Sequence, residues 1–445
     1  MKVLKFGGTS VGTTENLQKI KKILISDLDQ KIVVCSAISG VTDQLVALAK
    51  NVRFKNTSEV IKGIDILKEK HLNFVNDLIK FEDKRKTLKN NIHQMFDEFI
   101  ELTQKEYSET LRSSIITFGE TLLTHIFNEY LVVEGVSSTL IRAKDFMLVD
   151  VIDTPNIDKV SKRLARLINT CPKAQMYITQ GFVCKDKNGN ISDLRRGGSD
   201  YSATIIGAAI NAEEIQIWTD IDGVHTNDPR FVEETRPIQH LSYTEASELA
   251  HFGAKVLHPQ TVLPVISKNI PIVLKNIYDP SALGTMISAV THREGLKGIS
   301  AKDKITIIKI KSNKVLLGYD FLSIVFEIFG TYQTSIDMVT TSNESVSLAV
   351  DCTQHLEEIV RELEKFATIT IESGYSIICM VGASIIKDHK SHRLFEILTN
   401  IPVHMISFGG SDSNIMVLID TENKVEALQL LNDKLFLSQE EAMVF

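Results

Sequence analysis

The stretch MKVLKFGGTSVG, residues 1–12, predicts a buried strand that runs into a glycine turn. Lys2–Phe6 is mostly apolar and is followed directly by Gly7 and Gly8. Glycines permit backbone conformations that bring successive N–H groups together, and the helix predicted to follow would point its positive end at the same place. Lys5 would then lie beside a turn that binds phosphate.

The same stretch is also compatible with an ordinary strand-to-helix turn that carries an exposed lysine, because glycine-rich turns are common. Neither a GxxxxGK[ST] motif nor a GxGxxG motif occurs in the chain. A P-loop and the usual dinucleotide-binding fingerprint are therefore excluded, and the interpretation of the turn depends on motifs further along the chain.

The composition predicts a globular protein with a small-molecule partner. The 445 residues are 43% hydrophobic, which is enough for about two to four domains at roughly 150 residues each. A net charge of -7 disfavours nucleic acid as a partner. The five cysteines form no CxxC pair, and no apolar run reaches the roughly 18 to 20 residues that span a bilayer. We expect a cytoplasmic protein without a membrane partner.

A second buried strand is predicted at Lys31–Cys35, which completes a β-α-β unit and indicates a parallel sheet. The loop that follows contains Ser36 and Thr42. Ligands of open α/β sheets bind at the carboxyl ends of the strands, so this loop should lie in the same crevice as the first glycine turn. Both hydroxyl residues are equally compatible with helix caps.

Two long amphipathic segments between Ser58 and Gln104 predict an antiparallel helical pair inserted into the sheet domain. Glu120 begins an apolar helix and is either a first-turn acid or a ligand for a substrate amine. Further strands are expected at Val132–Ile141, Met176–Cys184, Ile215–Trp218 and Ile270–Lys275, a helix at Tyr243–His251, and a linker from Gly284 to about Gly298.

A second glycine pair, Gly197-Gly198, also precedes a predicted helix. Arg196 stands in front of it, and Ser199 and Asp200 follow in the first turn. Arginine can grip a carboxylate with two parallel hydrogen bonds, so this turn suits an acidic substrate. Asp200 also fits a simple helix cap, but two glycine turns at strand-to-helix junctions of one domain favour a functional interpretation.

The loop Thr219–Arg230 follows a strand and is dense in turn-forming residues. It lacks the spacing of an EF-hand, and we interpret it as a nucleotide-binding loop. Lys255 follows a glycine and could reach a phosphate. His251 and His258 are seven residues apart, which does not suit a pair of metal ligands on one helix face.

The C-terminal part contains an internal repeat of roughly 70 residues. Phe326-Glu327-Ile328 corresponds to Phe395-Glu396-Ile397, and Leu348–Asp351 corresponds to Val417–Asp420. Each copy reads as strand, helix, hairpin, helix and strand, the ferredoxin-like order. Two such modules invite edge-to-edge pairing within or between chains and could hold a ligand between subunits.

Together these motifs resemble those of the aspartate kinases, a group within the amino-acid kinase family, in their monofunctional form with C-terminal tandem ACT modules. The matching stretches are KFGGTSV, SAISGVT, FGE, RGGSDYSA, WTDIDGVHTNDPR and FGAKVLHP. The resemblance implies an α/β fold with a mostly parallel sheet between helices, followed by two ferredoxin-like α+β modules. It implies a catalytic domain at 1–298 with a helical insertion at about 52–110, and ACT-like modules at 299–374 and 375–445.

The resemblance further implies ATP-dependent phosphorylation of the side-chain carboxylate of L-aspartate to 4-phospho-L-aspartate, with Mg²⁺ as cofactor. The implied catalytic residues are Lys5 and Asp200. The implied ATP-binding residues are Lys5, Gly7, Gly8, Thr219, Asp220, His225, Arg230, Lys255 and Val256. The implied aspartate-binding residues are Ser36, Thr42, Glu120, Arg196 and Ser199.

Feedback control by an amino acid, with lysine as the first expectation, is implied by the ACT-like modules, as is a homodimer or a dimer of dimers. The implied effector residues are Val315, Gly318, Phe321, Leu322, Ser335, Ile336, Asp337 and Ser342. Asn343 departs from a commonly acidic position, which puts lysine in doubt, and Arg195 replaces a smaller residue beside the substrate arginine. A related kinase for another acidic amino acid and a catalytically dead amino-acid sensor are the alternatives.

Overall fold

The computed structural model describes residues 1–151, 154–195, 197–254, 257–291, 293–313, 318–342 and 344–437, which form two units. The first unit consists of Met1–Val224, Gln239–Tyr243 and Leu257–Val290. The second consists of His225–Ile238, Thr244–Val256 and the described residues from Thr291 onward. None of the helices in these ranges combines the length and the apolar character that crossing a bilayer requires.

The chain up to residue 290 contains ten strands and eleven helices within the described ranges. The strands are β1 (Lys2–Phe6), β2 (Lys31–Cys35), β3 (Ser138–Leu140), β4 (Met176–Gln180), β5 (Val183–Lys185), β6 (Ile191–Asp193), β7 (Ile215–Thr219), β8 (His240–Ser242), β9 (Ile272–Asn276) and β10 (Thr285–Ser288). The helices are α1 (Thr14–Leu24), α2 (Val41–Arg53), α3 (Thr57–Leu78), α4 (Glu82–Thr103), α5 (Glu109–Ile116), α6 (Phe118–Val133), α7 (Ala143–Phe146), α8 (Ile157–Thr170), α9 (Gly198–Ile210), α10 (Tyr243–His251) and α11 (Leu263–Ile266).

The first unit is built on an eight-stranded sheet in the order β3-β4-β2-β1-β7-β9-β10-β8. The first six of these strands are parallel, and β10 runs antiparallel to β9. Side chains alternate across β1, so Leu4 and Phe6 join the core beneath α1, α2 and α6. Lys5 lies on the opposite face, which α9 covers. The predicted mostly parallel sheet between helices is confirmed.

The predicted helical pair is also confirmed, as α3 and α4. Three residues connect the two helices, which makes them antiparallel neighbours. Each helix buries one stripe of side chains spaced three and four residues apart, as an amphipathic helix must. On α3 this stripe is Val60, Ile64, Leu67, His71, Phe74, Val75 and Leu78, and on α4 it is Leu88, Ile92, Phe96 and Phe99.

Two predictions of local structure were wrong. The strand expected over Val132–Ile141 is shortened to β3, because α6 continues to Val133 and Gly135 then turns the chain with a φ of +77°. The linker expected at Gly284–Gly298 contains β10 and the start of the next strand. At Val132–Ile141 the apolar run fits either a helix or a strand, and its packing neighbours decide between them. At Thr285–Ser288 the short run is a strand because it pairs with β8 and β9.

The second unit adds six strands and six helices, of which α10 has already been named. The strands are β11 (Gly295–Ser312), β12 (Met338–Thr341), β13 (Ser345–Val350), β14 (Ala367–Ala383), β15 (Val403–Ser407) and β16 (Asn414–Asp420). The helices that follow β11 are α12 (Gly318–Thr331), α13 (Leu356–Leu363), α14 (His389–His392), α15 (Leu394–Ile397) and α16 (Lys424–Asn432). The strands form one sheet in the order β12-β13-β11-β14-β16-β15.

The long strands β11 and β14 each serve both repeats. The C-terminal half of β11 pairs with β13, and the C-terminal half of β14 pairs with β16. The first repeat thus has the ferredoxin-like strand order β12-β13-β11-β14, and the second has the matching order β11-β14-β16-β15. The fourth strand of the second repeat is therefore Gly295–Lys302, which precedes the first repeat in the chain. The predicted boundary at residue 374 stays a prediction.

Asp337 precedes β12, and its side chain is only 1% exposed. Its carboxylate accepts hydrogen bonds from Lys302 Nζ, at 2.8 Å to both oxygens, and from His251 Nε2, at 2.9 Å. Lys302 also pairs with Asp351 at 2.9 Å. Burial acts to raise the pKa of Asp337, but the hydrogen bonds from His251 and Lys302 outweigh it and lower the pKa.

We predict that Lys302→Met lowers the free energy of unfolding by about 2–4 kcal/mol, because it removes a cation from a buried carboxylate. Since the lowered pKa of Asp337 stabilises the fold only while the carboxylate is ionised, the loss should shrink as the pH falls below 3.8. Urea unfolding at two pH values measures this. Lys309→Met, which breaks the exposed Lys309–Glu372 pair of the same strand, is the control and should cost less than about 1 kcal/mol. Equal losses in the two variants would contradict the prediction.

Candidate active site

Lys5 and Asp200 form an ion pair across the face of the sheet that α9 covers. Lys5 Nζ lies 2.6 Å from Asp200 Oδ1, although the orientation is not that of a hydrogen bond. Only 11% of the lysine side chain and 15% of the aspartate side chain are exposed. Asp200 lies in the first turn of α9, where the helix dipole also favours a negative charge. The pair holds one ammonium group at the end of β1.

The glycine turn that follows β1 differs from the prediction in its backbone. Neither Gly7 nor Gly8 has a positive φ, so the turn does not use the conformations that only glycine reaches easily. Space is restricted mainly at Gly8, where a Cβ would lie 3.2 Å from the carbonyl oxygen of Ala37. A Cβ on Gly7 would lie 3.2 Å from Lys5 Nζ, which could shift slightly. The turn therefore leaves its backbone open beside the ammonium group.

The second glycine turn does require glycine for its conformation. Gly197 has a φ of +67°, and a Cβ there would lie 2.5 Å from the Cβ of His258. Gly198 begins α9. Ser199 packs against Gly181, where a Cβ would come within 2.5 Å of the serine Oγ. Arg196 lies outside the described residues, so its expected role remains a prediction.

The loop after β2 packs against the first glycine turn. The N–H of Ser36 donates to the carbonyl oxygen of Phe6, at 3.1 Å, which ties the loop to the end of β1. Ser36 is half-buried, as is Thr42 in the first turn of α2. Both hydroxyl residues therefore lie beside the carboxyl ends of β1 and β2, where the sequence predicts a ligand crevice.

Glu120 reaches this crevice because Gly119 allows α6 to pack closely. A Cβ at Gly119 would lie 2.8 Å both from the Cβ of Ala37 and from Cγ1 of Val41, which are contacts too short for any larger residue. The close approach brings the Glu120 carboxyl to the backbone N–H of Ala37, one of its hydrogen-bond donors. The first turn of α6 is thus fixed against the loop that follows β2.

The Glu120 carboxyl group is buried and only partly satisfied. The residue is 3% exposed, and no hydrogen-bond donor among the described residues reaches its Oε2. Burial raises the pKa of Glu120 to about 7, the backbone N–H groups of Glu120 and Ala37 oppose this rise, and the negative charge of Asp193 adds to it. A buried carboxylate without a cation is suited to receive the ammonium group of a ligand.

Thr219 and Asp220 follow β7, the strand that pairs with β1 on the side away from β2. The Thr219 hydroxyl donates to Asp220 Oδ1 at 3.0 Å. Asp220 is exposed. The other predicted nucleotide residues, His225 and Arg230, belong to the second unit, where Arg230 forms an ion pair with Asp228. Lys255 and Val256 lie outside the described residues.

The predicted effector residues lie in the first ferredoxin-like repeat, apart from Val315, which is outside the described residues. Gly318 begins α12, and Phe321 of the same helix is buried in the core of the repeat. Asp337 accepts the hydrogen bonds from Lys302 and His251 described above, and the Ser342 hydroxyl lies 2.6 Å from that of Ser345. Leu322 and Ile336 are partly buried, and Ser335 is exposed.

Phe182 was missed by the sequence analysis. It has a φ of +67°, which is strained for an aromatic residue, and strain of this kind concentrates at functional sites. Its N–H donates to Ser202 Oγ at 2.9 Å, and its ring fills the space beside Gly198. The residue fixes the start of α9 against the end of β4. No sequence pattern marks an aromatic residue in this conformation.

Comparison with known proteins places the whole chain among related sequences. The amino acid kinase family matches residues 1–276, and the ACT domain matches residues 373–435. The chain is 33% identical to aspartokinase 1 of Arabidopsis thaliana, covering 98% of this chain and 80% of that protein. It is 30% identical to the lysine-sensitive aspartokinase 3 of Escherichia coli, covering 98% and 99% of the two proteins.

The fold of the chain is similar to solved structures over 98% of its length. The crystal structure of E. coli aspartokinase III in complex with aspartate and ADP, an R-state, has a TM-score of 0.86 at 28% identity and covers 98% of this chain and 100% of that one. The complex with lysine and aspartate, a T-state, has a TM-score of 0.80 at 28% identity and covers 98% of this chain and 99% of that one.

We predict that Glu120→Gln stabilises the chain more at pH 8 than at pH 5. Between pH 4.5 and about 7 the unfolded state releases a proton that the folded state keeps, so the free energy of unfolding falls as the pH rises through this window. Glutamine carries no charge and avoids a cost of roughly 2–3 kcal/mol at pH 8. Denaturant unfolding of both proteins at the two pH values measures the difference.

Glu109→Gln, at an exposed glutamate of α5, is the control and should show no such dependence on pH. A stability difference between Glu120→Gln and the wild type that is the same at pH 5 and pH 8 would show that Glu120 titrates normally.

Proposed function

The chain belongs to the amino acid kinase family, and we propose that within it the chain is an aspartate kinase that transfers the γ-phosphoryl group of ATP to the side-chain carboxylate of L-aspartate. One observation at the site supports this assignment. A buried ammonium group, that of Lys5, and a buried carboxyl group whose Oε2 has no donor among the described residues, that of Glu120, both lie at the carboxyl edge of one parallel sheet. An amino acid and a phosphate donor need these two opposite charges.

The amino-acid end of the substrate is held by charge complementarity. Glu120 receives the ammonium group, because its Oε2 is buried without a donor. Arg196 grips the α-carboxylate, and the hydroxyl groups of Ser36, Thr42 and Ser199 complete the hydrogen bonds. This arrangement leaves the side-chain carboxylate of aspartate free and directed toward the γ-phosphate.

The reaction needs positioning and charge neutralisation rather than a general base, because the attacking carboxylate is already ionised at neutral pH. A carboxylate oxygen of aspartate forms a bond to the γ-phosphorus, the bond from that phosphorus to the bridging oxygen breaks, and ADP leaves with the electron pair. Lys5 and the backbone N–H groups of Gly7 and Gly8 neutralise the negative charge on the transferred group. Asp200 positions the Lys5 ammonium group through their ion pair.

The nucleotide occupies the side of the crevice that follows β7, where Thr219 and Asp220 lie. We assign His225, Arg230, Lys255 and Val256 to the same nucleotide on the resemblance of the loop sequence to those of aspartate kinases. Mg²⁺ bound with ATP supplies further positive charge at the phosphates. No cluster of three metal-ligating side chains occurs among the described residues. Asp200 and Asp220 as single carboxylates fit an ion held mostly by phosphate oxygens and water.

Regulation is assigned to the second unit, whose two repeats have the ferredoxin-like strand order and whose residues 373–435 match the ACT domain. Lysine is the first candidate effector, because the lysine-sensitive E. coli enzyme is similar over 98% of the chain. Its proposed contacts include Asp337 and Ser342. We further propose a homodimer or a dimer of dimers through these modules, a cytoplasmic location, and 1–298 as the catalytic domain.

Lys5→Ala should lower kcat by about 10² to 10³, since one preorganised charge that stabilises the transition state is lost. A coupled assay of ADP release at saturating ATP and aspartate measures the effect. Lys22→Ala, which removes an exposed lysine of α1, is the control and should keep wild-type activity. Near-full activity of the Lys5 variant would remove Lys5 from the mechanism.

A panel of acceptors tests the substrate and the regulation together. ADP release should depend on L-aspartate, with glutamate and N-acylated amino acids supporting less than about 1% of the rate, because the buried Glu120 carboxylate requires an ammonium group at a fixed distance. Adding lysine, threonine or methionine to the aspartate reaction identifies the effector. ADP release with glutamate alone would support the alternative kinase, and no release with any amino acid would support the inactive sensor.

A further inference from the structure

Gln180, the last residue of β4, makes a buried chain of hydrogen bonds that leads to Glu120. Its side chain is 4% exposed. The amide Nε2 donates to Thr124 Oγ1 at 2.6 Å, and the amide Oε1 accepts from the backbone N–H of Ala143 at 2.8 Å. Thr124, which is fully buried, donates its hydroxyl proton to the carbonyl oxygen of Glu120 at 2.7 Å.

The direction of this chain is fixed by its two ends. A backbone N–H can only donate, so the atom of Gln180 that faces Ala143 is the oxygen and the amide nitrogen must face Thr124. The Thr124 hydroxyl then accepts from Gln180 and donates to the Glu120 carbonyl oxygen at 2.7 Å, with a longer contact of 3.3 Å to the carbonyl oxygen of Thr121. Each member therefore has one role, and a side chain with the wrong polarity breaks the chain at both ends.

The backbone that follows Gln180 contacts the other side of the substrate site. The Gly181 N–H donates to the carbonyl oxygen of Cys35 at 2.9 Å, and Gly181 packs directly on Ser199. Gln180 and Gly181 thus connect α6, whose first turn carries Glu120, with the first turn of α9, which carries Ser199. Both turns come from distant parts of the chain and meet only at the end of β4.

We propose that Gln180 is a positioning residue for the site that receives the ammonium group of the amino-acid substrate. The inference rests on the proposed function and adds to it the residue that sets the position of Glu120. A carboxylate buried to 97% has few neighbours that can compensate for a shift of its backbone. Misplacement of the first turn of α6 therefore weakens recognition of the substrate amine, while the contacts of the nucleotide, on the far side of β1, are kept.

The variants Gln180→Leu and Thr124→Val remove the two polar links and keep similar shapes. For each, the KM for aspartate should rise about tenfold, whereas kcat and the KM for ATP should change less than twofold. Both changes break the same chain of hydrogen bonds, so the KM for aspartate of the double variant should be no higher than that of the more affected single variant. Gln175→Leu, at the partly buried glutamine just before the same strand, is the matched control and should behave as wild type.

Succinate, which is aspartate without its amino group, separates positioning of the amine site from a general structural role. As a competitive inhibitor against aspartate it should keep its inhibition constant within twofold in both variants. Equal rises in the aspartate KM and the succinate constant would overturn the proposal, as would an unchanged aspartate KM. If Gln180→Leu does not fold, Thr124→Val alone decides. Absence of any aspartate-dependent ADP release by the wild-type protein would instead overturn the proposed function.

Discussion

The ion pair between Lys5 and Asp200 is the contact on which the arrangement of the active site depends. Burying an ammonium group is costly unless a carboxylate faces it, and α9 supplies that carboxylate from its first turn. Because side chains alternate along a strand, Lys5 lies on the face of the sheet opposite to Leu4 and Phe6. The ammonium group is therefore in place only if α9 packs on that face. The position of the ammonium group in the proposed phosphate site depends on this packing.

The proposed site for the amino group of the substrate depends instead on the cost of burying Glu120. Glu120 is buried, its Oε2 receives no hydrogen bond from the part of the chain that the structure describes, and burial raises its pKa to about 7. The folded chain therefore gives up stability to keep a carboxylate that a substrate ammonium group can satisfy, which is a common cost of a binding site. The carboxylate of Asp200, in contrast, already has a cation beside it, the ammonium group of Lys5. The two acids of the crevice thus differ in role because their partners differ.

The second unit shows how two repeats are made dependent on one another. Because β11 and β14 run through both repeats, a change in the twist of either strand is shared by the two halves of the sheet. Asp337, at the edge of the first repeat, already holds Lys302 and His251. A ligand that uses this carboxylate has to share it with two donors of the chain itself, one of which comes from α10.

The sequence by itself determined the local elements and the chemistry of the site. Glycine pairs, apolar runs and turn residues are local signals, and from them the positions of β1, β2 and α10, the helical pair and the C-terminal repeat were predicted. Tertiary structure decided what depends on neighbours distant in the chain. Examples are the length of α6 and the pairing of Gly295–Lys302 as the fourth strand of the second repeat. Others are the strained backbone of Phe182 and the burial that raises the pKa of Glu120. Burial and pairing are properties of contacts between segments, and no single segment encodes them.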